Sequence, residues 1–196
     1  MSKTTIPAGG IADDAVNLTS KVTGALPVAN GGTALTSGFV NGFTGAATTF
    51  RITANFAADA DPIASNWEEA DTDGYGRLGT AVSQASGIFT LPSTGIWLIL
   101  LNFSFDEGGG GADTSMHAYI NTTTDNSSYG VAAEGRASFT GSNARQGADC
   151  AFVFDVTNTT THKVSTSING VDDNNNTMGS SAQNTSSISF IRLGDT

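Results

Sequence analysis

The chain has 196 residues and a formal net charge of −10, from 18 Asp and Glu against 8 Lys and Arg. That length holds one domain of ordinary size with an appendage, and that charge disfavours DNA, RNA or an anionic membrane surface as a partner. Charged residues make up only 13% of the chain, below the roughly 25% of ordinary globular domains, so Gly, Ser, Thr and Asn supply the polarity, as in turn-rich β structure.

Residues 1–45 read as an arm. The start, Met1 to Pro7, has no apolar signal-peptide region, and no stretch approaches the ~18 apolar residues of a membrane span; synthesis in a cytosol without membrane insertion is expected. No aromatic residue precedes Phe39, so the arm has too little apolar surface to fold alone. Ile11, Ala15, Leu18 and Val22 fall at i, i+4, i+7 and i+11, one apolar stripe if a helix opens at Asp13 or Asp14. Gly9-Gly10 and Gly24 argue equally for an extended arm, and both conformations remain open. In Ala25 to Leu35, Pro27 removes a backbone donor and Asn30-Gly31-Gly32 accepts positive φ, so an extended segment followed by a sharp turn is expected.

The arm's Ile11-Ala12-Asp13-Asp14-Ala15-Val16 and Leu26-Pro27-Val28-Ala29-Asn30-Gly31-Gly32-Thr33 runs together resemble sequences of bacteriophage tail fibres and related virion appendages. The resemblance implies a non-enzymatic virion structural protein, made in the cytoplasm of a bacterial host. Its arm would dock on other virion proteins of the tail or capsid, with Ile6, Pro7, Ile11, Val16, Leu18, Leu26, Pro27 and Val28 as candidate contacts. A short tail fibre or receptor-binding spike is the leading reading, and a head fibre or capsid decoration protein the alternative.

Residues 46–196 change pattern to short β-like runs separated by polar turns. Strands are expected near Arg51 to Ala57, Gly87 to Leu91, Gly95 to Phe105, Ser115 to Asn121, Ala148 to Val156, His162 to Ile168 and Ser187 to Leu193. Weaker candidates lie around Leu78 to Ser83 and Tyr129 to Ala133. The glycine run at Asp106 to Ala112 and the asparagine run at Asp172 to Thr177 read as exposed loops. This spacing argues for an all-β antiparallel sandwich.

The run from Gly95 to Phe105 is apolar on both sides of the strand: Ile96, Leu98 and Leu100 on one face, Trp97, Ile99, Leu101, Phe103 and Phe105 on the other. A strand covered twice in an antiparallel sandwich takes its second cover from outside the partner sheet, and another protomer is the simplest source. Trp97, Ile99, Leu101 and Phe103, with Phe152 and Phe154 from the similarly two-faced Cys150 to Val156 run, are the candidate oligomer interface. Cys150 is the only cysteine, a small apolar filler with no intrachain disulfide to make. Gly87-Ile88-Phe89-Thr90-Leu91-Pro92-Ser93-Thr94-Gly95-Ile96-Trp97 and the ending Phe190-Ile191-Arg192-Leu193-Gly194 resemble the jelly rolls of the tumour necrosis factor and complement globular-head superfamily. That resemblance implies a jelly roll and a homotrimer; the number three comes from it alone.

No catalytic constellation emerges. Asp71-Thr72-Asp73-Gly74 opens like a calcium loop but continues with Tyr75 and lacks the closing Glu, so no metal or other cofactor is expected. His117 and His162 sit in expected strands without a metal motif. Glu68, Glu69, Asp71, Asp73, Glu107, Asp113 and Glu134 lie mostly in apparent loops, where acids are usually solvated. An aromatic next to amides and carboxylates can grip a sugar ring, so Trp67, Tyr75 and Tyr129 are candidate contacts for a host surface glycan, beside a protein receptor as the other possible partner.

Overall fold

In a computed structural model, residues 45–108, 115–139, 141, 143–171 and 174–196 are described, all within the unit that runs from Thr44 to Thr196. The arm and its docking candidates, Ile6, Pro7, Ile11, Val16, Leu18, Leu26, Pro27 and Val28, lie outside the described residues. Eleven strands and no helix occur among those described: β1 (Ala47–Ile52), β2 (Trp67–Glu69), β3 (Ser83–Ala85), β4 (Ile88–Thr90), β5 (Gly95–Glu107), β6 (Met116–Thr123), β7 (Gly130–Ala137), β8 (Arg145–Val156), β9 (Lys163–Asn169), β10 (Asn175–Thr177) and β11 (Ser187–Gly194).

They form two antiparallel sheets. In the first, β5 is the axis: β11 runs along one edge, followed by β1 and β2, and β8 pairs along the other edge from Gly95↔Val156 to Asp106↔Arg145. The short β10 continues the β11 side at Phe105 to Glu107. The second sheet has the order β3-β4-β9-β6-β7. Neighbours distant in sequence, such as β1 beside β11 and β4 beside β9, make this a jelly roll.

Opposed residues of an antiparallel pair share a face, so the registers sort the side chains. From the first sheet Phe50, Ile52, Trp97, Ile99, Leu101, Phe103, Phe105, Ile188 and Phe190 point inward; from the second come Phe89, Met116, Ala118, Ile120, Val164 and Ile168. Phe89 is the hub, with Phe50, Trp67 and Phe190 ring centroids 5.3, 5.2 and 5.1 Å away. The β3–β4 hairpin closes on Ser86 and Gly87, both at positive φ, the two-residue turn that matches strand twist. A Cβ on Gly87 would lie 2.3 Å from the Ile63 carbonyl oxygen, so the position requires glycine.

Four expectations shift. β1 begins at Ala47, ahead of the expected Arg51, because its small residues pair with β11. Trp67–Glu69, expected as loop, is the strand β2 on the edge of β1. Asn175–Thr177, inside the expected asparagine loop, is β10, held by β5 and by the Phe56–Thr177 bridge. β7 extends to Ala137 through Glu134 and Arg136, both polar because they lie on the face turned from the core.

Candidate functional site

The outward face of the first sheet is laid out in rows across four strands. Ala47, Ile191, Leu98 and Val153 stand opposite one another in one row, and Thr49, Ser189, Leu100 and Ala151 in the next. The third row turns polar, with Arg51, Ser187, Asn102 and Asp149; Asn102 Nδ2 donates to Asp149 Oδ1 at 2.5 Å. Leu100 is 39% and Val153 55% exposed, large values for apolar strand residues that leave one end of this face apolar and open.

This corrects the assignment of the interface residues. Trp97, Ile99, Leu101 and Phe103 are at most 2% exposed, and Phe154 is 6% exposed; they fill the chain's own interior. Phe152 is half-buried against the same core. The second sheet covers the Trp97 face of β5, so the face left uncovered is the one with Ile96, Leu98 and Leu100.

Arg51 closes the polar end. Its guanidinium is buried on the outward face, with Nε donating to Glu68 Oε1 at 2.7 Å, Nη2 to Asp71 Oδ1 at 2.6 Å and Nη1 to Thr72 Oγ1 at 2.8 Å. Two carboxylates of the acidic Glu68 to Asp73 stretch are therefore spent on one cation, while Glu69 pairs with Arg77 at 3.1 Å.

The proposed sugar contacts do not come together. Trp67 Nε1 donates to the Ile63 carbonyl at 2.8 Å and its ring packs on Phe89 and Phe103, so it anchors β2 to the core. The Tyr75 hydroxyl accepts from the Thr49 amide at 3.0 Å and donates to Glu69 Oε1 at 3.3 Å; burial, with Glu69 adding to it, pushes its pKa up. Only Tyr129 lines a groove on the outward face of the second sheet.

That groove, of about 450 Å³, lies in the size range of small-ligand sites. Its floor is Tyr119 and Asn121 from β6 and Ser167 and Asn169 from β9. Tyr129 and Val131 form one wall, and Asp59, Ala60 and Asp61 the other. The Asp59 to Asp61 segment is held beside β9 by paired hydrogen bonds between Ala60 and Ile168 at 3.2 and 2.9 Å. Both Asp59 oxygens are engaged, by Asn169 Nδ2 at 3.0 Å and the Val171 amide at 2.8 Å, and Asn121 Nδ2 donates to Ser167 Oγ at 2.8 Å. Burial, followed by the Glu134 charge, raises the Tyr119 pKa and keeps the phenol neutral. The alternation in Met116-His117-Ala118-Tyr119-Ile120-Asn121 already marks Tyr119 and Asn121 as outward-facing. Nothing local to them indicates the Asp59 wall, which reaches the groove through tertiary pairing.

Beyond the groove, Ser115 Oγ lies 3.0 Å from His117 Nε2, and His117 Nδ1 lies 2.5 Å from Glu134 Oε1. The order hydroxyl, imidazole, carboxylate is that of a nucleophile relay. Here Arg136 Nε occupies the same Glu134 oxygen at 2.7 Å, and Arg136 first and His117 second hold the Glu134 carboxyl below its ordinary range. Arg136 and His117 share the one carboxylate, and the row is a salt-linked surface network. His162 is buried between Thr157 and Thr161 hydroxyls and stacks on Phe154. Burial pushes the half-buried Cys150 thiol up to about 11, far from a nucleophile's range.

No protein-family model and no curated protein matches the sequence. Solved structures do match. Eiger TNF from S. frugiperda superposes with a TM-score of 0.58 at 13% identity, covering 76% of this chain and 93% of that one. Murine APRIL at pH 5.0 gives 0.56 at 13% identity over 76% and 99%, and murine APRIL at pH 8.5 gives 0.54 over the same shares. At that identity the likeness speaks to architecture alone, and with the strand order above it establishes the fold as an all-β, tumour-necrosis-factor-like jelly roll.

Proposed function

We propose that this chain is a non-enzymatic structural protein of a bacteriophage virion, a homotrimeric short tail fibre or receptor-binding spike. Residues 1–45 dock it to the particle and residues 46–196 are displayed outward. The observation that carries self-association is the open apolar end of the first sheet, where Leu98, Leu100, Val153 and Ile191 lie together on the outward face. Burying such a face against copies of itself is the ordinary way to close a cyclic oligomer, and the threefold number follows the jelly-roll resemblance. The arm's Ile11 to Val16 and Leu26 to Thr33 runs support the virion assignment, and a surface groove lined by tyrosines and amides supports a binding role.

Two measurements test the reading. The full-length protein, added in excess to host cells, is expected to block phage adsorption, and a label on its C-terminus is expected at the tail in particle reconstructions. Label on the capsid without adsorption blocking would overturn the spike in favour of decoration. A label absent from the particle would overturn the virion assignment itself.

A further inference from the structure

We propose that the groove between the Asp59 to Asp61 segment and Tyr129 binds an uncharged saccharide, with Tyr119, Asp61 and Asn169 as its principal hydrogen-bonding contacts. This rests on the binding-knob reading above and names the ligand class and the place.

A sugar ring presents an apolar C–H face and a rim of hydroxyls, and it is held where an aromatic surface meets planar donors and acceptors. The groove supplies both. Tyr129 offers a half-buried ring on one wall, and Val131, 63% exposed, extends that apolar surface. Across from them, the Asp61 carboxylate and the Tyr119 hydroxyl have no hydrogen-bond partner among the described residues, while the Asn169 amide donates to Asp59 and leaves its carbonyl oxygen to accept. Hydroxyl rims can satisfy such a set because each sugar O–H both donates and accepts.

Charge selects within the saccharides. Asp59 and Asp61 form one wall, and Glu134 stands opposite Tyr119 across the β6–β7 pair. His117, which stacks on Tyr119 at 6.0 Å, and Arg136 are both committed to Glu134. No cation lines the groove, so sialylated, sulfated or phosphorylated glycans would bring an anion toward the unpaired Asp61 carboxylate with no positive group to receive it. A cationic peptide fits less well, since Asp59 already spends both oxygens on Asn169 and Val171 and leaves Asp61 as a single unspent charge.

The groove lies on the outward face of the second sheet, and the apolar rows lie on the outward face of the first, with the core between them. Assembly through the apolar rows therefore leaves the groove open to solvent.

The test is a titration of the full-length protein with methyl glucoside, methyl galactoside, N-acetylglucosamine and sialyllactose, read by amide chemical shifts. Asp61→Asn and Tyr119→Phe serve as variants, since both keep size and remove groups without protein partners, so the fold is expected to persist. Saturable shifts with at least one neutral sugar, centred on Tyr119, Tyr129 and Asn169 and weakened about tenfold by each variant, are expected. Three results would overturn the assignment: no saturation with any neutral probe, a preference for sialyllactose, or affinity unmoved by both variants. If full-length protein blocks adsorption equally well with and without the two substitutions, the spike stands and the groove assignment falls. If neutral sugars bind at the groove and adsorption is never blocked, the groove stands and the spike falls.

Discussion

Leu100 and Ile99 are adjacent on β5 and point to opposite sides, so substitutions at the two should affect different equilibria. Fully burying a leucine is worth about 1.5–3 kcal/mol, and 39% of Leu100 remains uncovered in the single chain. Assembly therefore has about 0.6–1.2 kcal/mol per protomer to gain at this side chain, multiplied by the number of protomers. Leu100→Asp removes that gain and places a carboxylate in a closing apolar contact, which costs several kcal/mol more. Association should fall by more than two orders of magnitude, while the single chain should lose only about 1–2 kcal/mol, the share of this side chain's burial already made within it. Ile99 is fully buried, so Ile99→Ala should cost about 2–5 kcal/mol of folding stability and leave the contact face unchanged. Light scattering coupled to size exclusion reads the assembly. Urea denaturation at fixed protomer concentration reads the stability, since the two are linked by mass action. A wild-type protein that is monomeric at micromolar concentration, or a Leu100→Asp protein of unchanged oligomeric mass, would refute the reasoning.

Arg51→Ala should destabilise by about 2–3 kcal/mol in urea, because it removes buried, charge-assisted hydrogen bonds and the packed stem; the exposure of Asp71 and Glu68 keeps the cost below that of a fully buried pair. Neither carboxylate oxygen of the fully buried Glu107 has a hydrogen-bond partner among the described residues, so Glu107→Gln should raise stability by about 1–3 kcal/mol, and a loss of similar size would show that the carboxylate is held by a positive group. Native Cys150, with its thiol pushed up to about 11, should react with a thiol reagent at pH 8 roughly two orders of magnitude more slowly than in urea. The raised value also means that its contribution to stability is complete below the unfolded thiol's pKa and is lost as pH climbs through about 11, which an alkaline denaturation series on wild type and Cys150→Ala would compare.

The strand β5 shows how far the sequence alone could lead. A stretch apolar on both sides, Ile96 to Leu101, made a second covering surface readable, because one sheet face has only one partner sheet. Which side met the partner sheet rested on two residues, Asn102 and Ser104, which continue the Ile96, Leu98 and Leu100 side and turn it polar, while Trp97, Ile99, Leu101, Phe103 and Phe105 stay apolar and point inward. Trp67 shows the opposite error. Asn66, Glu68 and Glu69 around it suggested a loop, whereas pairing with β1 and stacking on Phe89 make it a strand residue. Intrinsic propensity is weak for three-residue strands, where tertiary partners decide, and Asn175–Thr177 follows the same logic beside Phe105 to Glu107. Tyr129 was the groove residue named from the sequence, and the alternation along β6 also turns Tyr119 and Asn121 outward. Its floor joins residues about 50 positions apart through the Tyr119↔Ser167 register, a pairing that local pattern does not encode.

The separation of the two outward faces has a consequence for how an assembled knob would hold a surface. Because the core lies between the apolar rows and the groove, neither a Leu100→Asp monomer nor the wild-type oligomer should differ in the affinity of one groove for one soluble neutral sugar, and their dissociation constants should agree within about twofold. Binding to a surface that displays the same sugar densely is a different quantity, since the second and third grooves of an oligomer then act at high effective concentration and raise apparent affinity by about 10²–10⁴ without a new contact. The monomer should therefore match the oligomer in solution and dissociate from an immobilised glycan layer at least about a hundredfold faster. Equal residence times on the layer would mean that the grooves of one assembly cannot engage a common surface together. A weaker soluble affinity in the monomer would mean that the assembly contact reaches the groove, against the strand order that places the core between them.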